Sequence, residues 1–131
     1  MHQLVIDDEL RGSRVRRPVN PIGIGWAGPT ILHAGTDAQR DRYLMPLLAG
    51  EELWCQLISE PNAGSDLASL STRAMRDGDT YVITGQKIWT SLAQYARYGI
   101  LIARTDPDAT KHRGISYFVC PMDTPGIEIR P

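Results

Sequence analysis

The stretch Leu70-Ser71-Thr72-Arg73-Ala74-Met75-Arg76-Asp77-Gly78-Asp79-Thr80-Tyr81-Val82-Ile83-Thr84 decides the fold class. Leu70 to Met75 reads as a strand, and Tyr81 to Thr84 as a second one, rich in β-branched and aromatic side chains. Asp77-Gly78-Asp79 between them is a hairpin turn, because a tight connection needs a residue that accepts positive φ. Downstream, Tyr98 to Arg104 holds the apolar run Tyr98-Gly99-Ile100-Leu101-Ile102-Ala103, the pattern of a strand buried on both faces. Asp106 to Arg113, with Pro107, is a polar loop. Ile115 to Cys120 is another strand, and Gly126 to Arg130 opens one more. Upstream, Glu52 to Ile58 is a short apolar run. Ser59 to Ser69 is a loop marked by Pro61, Asn62, Gly64, Ser65 and Asp66. Strands at this spacing, with no long helix between them, predict antiparallel sheets packed as a barrel or sandwich.

Before residue 52 the texture is helical. Pro18, Asn20 and Pro21 mark a turn after the basic stretch Arg11 to Pro18, which reads as a solvated segment. From Ile22 to His33, Ile22, Trp26, Ile31 and Leu32 recur at loose helical spacing, and Gly35 follows as a C-cap. Thr36, Asp37 and Gln39 form a capping-box pattern. Tyr43, Leu44, Leu47 and Leu48 then share one face of a second helix. Pro46 lies inside that pattern and predicts a kink or an early end. Gly50 closes it. The expected fold is α+β: a short helical N-terminal segment, then an antiparallel β-barrel-like or sandwich domain that is incomplete at its C-terminus.

Composition limits what the chain does. Its 131 residues leave room for about one domain. With 14 Lys+Arg against 15 Asp+Glu, the net charge of −1 gives no electrostatic case for nucleic acid or anionic membrane. Cys55 and Cys120 are far apart and no CxxC exists, which argues against a disulfide framework or cysteine zinc site and for a reducing compartment. No apolar run reaches the ~18 residues of a membrane span. The first nine residues lack the basic and apolar regions of a signal peptide, so the cytoplasm is the expected location.

Three segments are candidates for chemistry. Gly23-Ile24-Gly25-Trp26-Ala27-Gly28 fits G-x-G-x-x-G, but the preceding Pro18-Val19-Asn20-Pro21 cannot be the buried strand a dinucleotide site needs. Close helix packing is the better account. Ser59-Glu60-Pro61-Asn62-Ala63-Gly64-Ser65-Asp66 either presents backbone N–H groups to a phosphate or ring edge, with Gly64 at positive φ, or simply connects two strands. Gly85-Gln86-Lys87-Ile88-Trp89-Thr90-Ser91 sets an aromatic face beside two hydroxyls, which suits a planar ring; the plainer reading is a core tryptophan. No G-x-S-x-G, H-E-x-x-H or P-loop occurs. His2, His33 and His112 lack i,i+4 partners and read as surface or helix-end residues, not metal ligands.

Taken together, these motifs carry a resemblance. Leu53-Trp54-Cys55-Gln56-Leu57-Ile58 followed by Ser59 to Asp66 resembles the T/S-E-P-x-A-G-S-D signature of the acyl-CoA dehydrogenase family. Gly85 to Ser91 is similar to that family's second flavin motif. Gly35-Thr36-Asp37-Ala38-Gln39 and Tyr43 to Glu51 are similar to its helix-to-strand approach. The resemblance covers about residues 19 to 131 and implies FAD, an acyl-CoA thioester substrate and oxidation of the substrate's Cα–Cβ bond.

By the same resemblance, Gln56, Ile58 and Ser59 line the flavin, with Ser59 at its pyrimidine edge. Gly64 and Ser65 lie where cofactor phosphates and acyl-CoA approach, so Ser65 also faces substrate. Trp89 covers one ring face with Thr90 beside it, and Ser91 stands near N5. The wording around Trp26 and Trp89 is closest to bacterial members that act on less usual acyl-CoAs.

The family's three-part chain implies that residues 1–52 are the remnant of a helical domain and 53–131 a truncated middle β domain. Its third domain carries the catalytic carboxylate, so no catalytic residue is assigned here and inactivity of the chain alone is expected. An unidentified electron acceptor and a homo-oligomer or strand-completing partner are implied. The alternatives are a non-enzymatic partner subunit that completes its sheet with another chain, or a split reading frame.

Overall fold

The computed structural model describes residues 2–13 and 19–130. The basic residues 14–18 and Pro131 lie outside them. Helix α1 (His2–Gly12) is followed by a π-helical turn (Gly23–Ala27), α2 (Gly28–Ala34) and α3 (Asp37–Ala49). The strands are β1 (Trp54–Leu57), β2 (Arg73–Asp77), β3 (Thr80–Thr84), β4 (Tyr98–Arg104) and β5 (Ile115–Pro121). The fold is α+β, with a helical layer on an open five-stranded sheet.

The sheet is mixed, which corrects the antiparallel expectation. β4 is its centre. β5 pairs with it antiparallel from Tyr98↔Pro121 to Arg104↔Ile115. β1 lies along the first half of β4 in parallel, from Trp54↔Tyr98 to Leu57↔Leu101. β2 joins β4, also in parallel, through Arg73↔Arg104. Between Leu57 and Tyr98 the chain returns to its starting end, so β4 runs the same way as β1; a hairpin would have reversed it. The hairpin that the sequence does predict forms as β2–β3, from Arg73↔Thr84 to Asp77↔Thr80. Gly78 turns it at φ +59°, a conformation costly for any residue with a Cβ. β2 begins at Arg73 and not at Leu70. Gly126 to Arg130, expected to open a strand, forms none. Gly126 instead takes φ +95° in a turn closed by Ile127 N–H donating to the Thr124 carbonyl.

Side chains alternate across β4, and both of its faces are buried. Tyr98 and Ile100 face the helices and pack with Trp54, Ala27, Ile31 and Leu47. Tyr43, Trp54 and Tyr98 form an aromatic trio with centroid separations of 5.1–5.7 Å. Leu101 and Ala103 are buried on the opposite face, as is Cys55 of β1. On that side Tyr81 of β3 meets Phe118 of β5 edge-on at 5.1 Å, so the open sheet curls.

The Thr36 capping box forms as predicted: Gln39 N–H donates to the Thr36 hydroxyl and Thr36 N–H to the Gln39 side chain. Pro46 does not end α3 early. It removes one N–H within the last turn, and its own carbonyl accepts from Glu51 N–H (3.0 Å) as Gly50 swings to φ +74°. Gly35 caps α2 in an extended conformation, and only a glycine fits there, since a Cβ would sit 2.5 Å from the Ile31 carbonyl oxygen. The helix expected over 22–33 forms without a break, but it carries a π bulge over Gly23–Ala27, where Gly28 N–H bonds back to the Gly23 carbonyl. That extra residue rotates the face, and Trp26 and Leu32, expected on the apolar stripe, are exposed. Leu48 on α3 is exposed as well.

One buried side chain joins the two layers. Asn20 is 1% exposed. Its Nδ2 donates to the carbonyls of Leu47 (3.0 Å) and Glu52 (3.1 Å). Its Oδ1 accepts from Gly23 N–H (3.3 Å) and Trp54 N–H (3.0 Å). The sequence marked Asn20 only as a turn residue.

Candidate functional site

β1 ends at Leu57 and leads through half-buried Ile58 and Ser59 into the first candidate loop. There the backbones of Glu60 and Ala63 bond each other, Glu60 N–H to Ala63 O (2.9 Å) and Ala63 N–H to Glu60 O (3.2 Å). Pro61 and Asn62 form the exposed tip. Gly64, Ser65 and Asp66 follow, all exposed. Gly64 does not use the positive φ that the sequence allowed it. The Glu60 and Ala63 N–H groups serve each other and are not offered to an anion.

Glu60 turns inward, a placement that the sequence did not single out. Its side chain is 2% exposed and that of Lys87 is 7% exposed, with Nζ and Oε1 2.8 Å apart. Glu60 Oε1 also accepts from Thr72 N–H (3.0 Å), and Oε2 accepts from Ser71 N–H and the Ser71 hydroxyl (both 2.7 Å). Burial alone would push this carboxyl up, but the Lys87 ammonium and the Thr72 and Ser71 donors outweigh it. They hold Glu60 well below the usual carboxylate range. Burial pushes Lys87 below the usual ammonium range, with Glu60 pulling it part of the way back. The signal in the sequence was an acidic residue early in the first loop and a single charge, Lys87, in the second motif.

Lys87 Nζ donates as well to the Ile58 carbonyl (3.0 Å), and Ile88 N–H donates to the Ser59 carbonyl (2.9 Å). The two motifs are therefore bonded side by side. Trp89, the next residue, is 79% exposed and takes φ +57°. A left-handed backbone costs a residue with a Cβ roughly 1–2 kcal/mol. Leu92 repeats it at φ +67°, and the turn is anchored by buried Ala93, whose N–H donates to Thr90 O (3.0 Å). The reading of Trp89 as a core residue is thus overturned: the indole is held out to solvent on a strained turn. Thr90 beside it is half-buried and Ser91 exposed.

Gln56 lies on β1, on the face of Trp54 and opposite Ile100. Its Oε1 is buried and has no hydrogen-bond partner. An acceptor left so is costly, and an N–H supplied from outside the chain relieves it. An exposed aromatic face beside hydroxyls fits a planar heterocycle. Gln56 is not bonded to the second motif, and its oxygen is one of three buried polar atoms without a partner among the described residues, with Trp54 Nε1 and Thr72 Oγ1. Of the residues singled out from sequence, Ile58, Ser59 and Trp89 are brought together, with Thr90 and Ser91 continuing the same turn. Gly64 and Ser65 follow the Glu60–Ala63 turn and are not bonded to the second motif. His33 and His112 are exposed; the His2 side chain lies outside what is described. No helix among the described residues is long and apolar enough to cross a membrane.

An α+β unit with paired motif loops at the end of β1 defines the class, and comparison with known proteins gives the family. The sequence model of the acyl-CoA dehydrogenase middle domain matches residues 55–131. This chain belongs to the acyl-CoA dehydrogenase family. It is 58% identical over 129 residues to acyl-CoA dehydrogenase FadE34 of Mycobacterium tuberculosis, a match covering 98% of this chain and 18% of that protein. Among solved structures, the ChsE4–ChsE5 complex from Mycobacterium tuberculosis superposes with a TM-score of 0.80 at 45% identity, covering 92% of this chain and 31% of that one. The Tcur3481–Tcur3483 steroid ACAD does so with a TM-score of 0.78 at 48% identity, covering 80% of this chain and 27% of that one. The chain thus spans less than a third of the length of each of these three.

Proposed function

We propose that residues 53–131 are the flavin-facing middle unit of an FAD-dependent acyl-CoA dehydrogenase, and that residues 1–52 are the end of its helical unit. The family resemblance implies FAD, and one structural match, a glutaryl-CoA dehydrogenase from Mycobacterium smegmatis, is a complex with FADH2. The observation that carries the proposal is the bonding of the two motifs at Ile58–Ser59 and Lys87–Ile88, which leaves Trp89 exposed on a left-handed turn. Trp89 would lie on the ring face. Ser59, Thr90 and Ser91 would offer hydroxyls to its edges, and Gln56 an acceptor to its ring N–H. Gly64 and Ser65 would meet the phosphates, with Ser65 near the thioester. Bound there, FAD supplies the hydride acceptor for oxidation of an acyl Cα–Cβ bond, while these side chains orient it and tune its reduction.

The base that takes the α-proton would come from outside these 131 residues. Glu60, the carboxylate buried between the loops, is committed to Lys87, Ser71 and Thr72. We therefore expect no acyl-CoA turnover from the chain alone. The substrate class to test first on a full-length relative is a steroid acyl-CoA, since the Tcur3481–Tcur3483 matches, the protein and its G363A variant, carry the word steroid in their names.

The test is a titration of FAD against the full chain, followed by flavin fluorescence and visible circular dichroism. Wild type is expected to perturb the flavin, and Trp89→Phe to change affinity or spectrum while keeping the fold. A flavin unaffected by the wild-type chain, or unchanged by Trp89→Phe once bound, overturns the assignment.

A second reading rests on β3. All five of its residues are exposed, including Tyr81, Val82 and Ile83. An exposed sheet edge recruits strands, so the chain would complete its sheet with a partner or a second copy. The ChsE4–ChsE5 match is itself a complex. A clean monomer by light scattering at high concentration counts against this reading.

A further inference from the structure

Three separate segments converge on Glu60 and Lys87. Glu60 binds the backbone N–H groups of Ser71 and Thr72, and Lys87 binds the Ile58 carbonyl and Glu60 itself. Both side chains are buried. A buried ion pair is weak evidence for stability, because well-packed apolar side chains of similar volume commonly do as well. What an apolar pair cannot supply is direction. The ammonium here faces two acceptors, one on each side of Ser59, and the carboxylate fixes two successive N–H groups of the chain entering β2. Immediately after Lys87, Ile88 N–H docks on the Ser59 carbonyl. The chain then enters the left-handed Trp89. A residue with a Cβ stays in that region only where its surroundings over-determine it. On one side of Trp89 the constraint is the Lys87–Ile88 docking; on the other it is buried Ala93.

We infer that Glu60 and Lys87 are a positioning pair: they hold Trp89 in its exposed left-handed conformation against Ile58–Ser59 and so set the site that the second motif presents. Neither touches the ligand; they act through the backbone of the residues that do. The inference deepens the flavin reading and rests on it for what the site receives. The positioning itself is measurable without any flavin.

The experiment uses the full chain as wild type, Lys87→Met, Lys87→Arg and the double variant Glu60→Gln/Lys87→Met. Thermal unfolding reports global stability. Amide hydrogen exchange at Ile88, Ile100 and Leu101, with the Trp89 indole N–H resonance, reports the turn. In Lys87→Met the Ile88 amide is expected to exchange about tenfold faster beyond any change at Ile100 and Leu101. The Trp89 resonance should move toward its unfolded position.

The double variant leaves no unpaired buried charge, and the new amide oxygen can keep the Ser71 donors while its NH2 faces Thr72 N–H, so it is expected to recover part of the thermal stability lost in Lys87→Met but not Ile88 protection. It remains the informative chain should Lys87→Met fail to fold. Lys87→Arg is expected to restore part of the protection. The inference is overturned if Ile88 protection falls only in step with that of β4, or if the double variant recovers protection together with stability. FAD titration of the same proteins separates the two claims. A wild-type chain that ignores FAD while Ile88 behaves as described removes the flavin reading and leaves the positioning pair standing.

Discussion

Asn20 gives the sharpest stability prediction. It is buried, and all four of its side-chain hydrogen-bonding positions are used, two donating to Leu47 O and Glu52 O and two accepting from Gly23 N–H and Trp54 N–H. Asn20→Ala strands the Glu52 carbonyl and the Gly23 and Trp54 amides at the joint between α3, the π turn and β1, and leaves the Leu47 carbonyl with Gly50 N–H alone. A net hydrogen bond is worth about 1 kcal/mol, and an unsatisfied buried group costs about 1–3 kcal/mol. Water entering the small cavity recovers part of that, so the expected loss is about 3–5 kcal/mol. This is a large share of the ~5–15 kcal/mol typical of a domain. Asn20→Asp is nearly isosteric but replaces the donor with an oxygen that faces two carbonyls.

The carboxyl introduced by Asn20→Asp is penalised when ionised, so its folded-state pKa lies above its unfolded value. Its damage is therefore smallest below about pH 4, where both states are protonated, and grows as pH rises toward neutrality. Urea unfolding followed by tryptophan fluorescence, at pH 4 and pH 7, measures both variants. A loss below about 1 kcal/mol for both would refute the reasoning. So would an Asn20→Asp chain that is less stable at pH 4 than at pH 7, relative to wild type.

Other consequences are simpler to measure. Trp89→Ala should cost less than about 1 kcal/mol in denaturant unfolding, since the ring is exposed; a core tryptophan would cost about 3–5 kcal/mol. Trp89→Gly should be neutral or slightly stabilising by thermal melt, because it relieves the φ +57° backbone. Glu60 has a depressed carboxyl, so its contribution is complete above the unfolded value of about 4.3 and is lost as pH falls below it; Glu60→Gln should flatten the stability profile between about pH 4 and pH 2. Cys55 is buried, with its thiol pushed up to about 11 by burial and by Cys120, so a thiol reagent at pH 8 should leave it unmodified until the chain unfolds.

Much of the fold was legible because it is written locally. The Thr36 capping box, the hairpin at Gly78 and the two-sided apolar run of β4 each follow from a few adjacent residues. So did the two motif loops, since Pro61, Gly64 and the Trp89-Thr90-Ser91 order are properties of sequence. What failed was long-range. A strand pattern carries no direction, so nothing in Trp54–Leu57 or Tyr98–Arg104 says that the two run parallel. Gly126–Arg130 has strand character, but a strand exists only where another edge receives it.

The same division holds at the site. The sequence by itself determined which residue types stand in the two loops, and hence the family. Only the tertiary structure decided that Trp89 points to solvent, that Gln56 keeps an unmatched oxygen, and that Glu60 and Lys87 meet where Ile58, Ser71 and Ile88 converge. The physical reason is that exposure and ion pairing depend on what the rest of the chain places alongside. Glu60 and Lys87 are far apart in sequence, and either alone reads as an ordinary surface charge. Packing removes both from water, and from then on each requires the other.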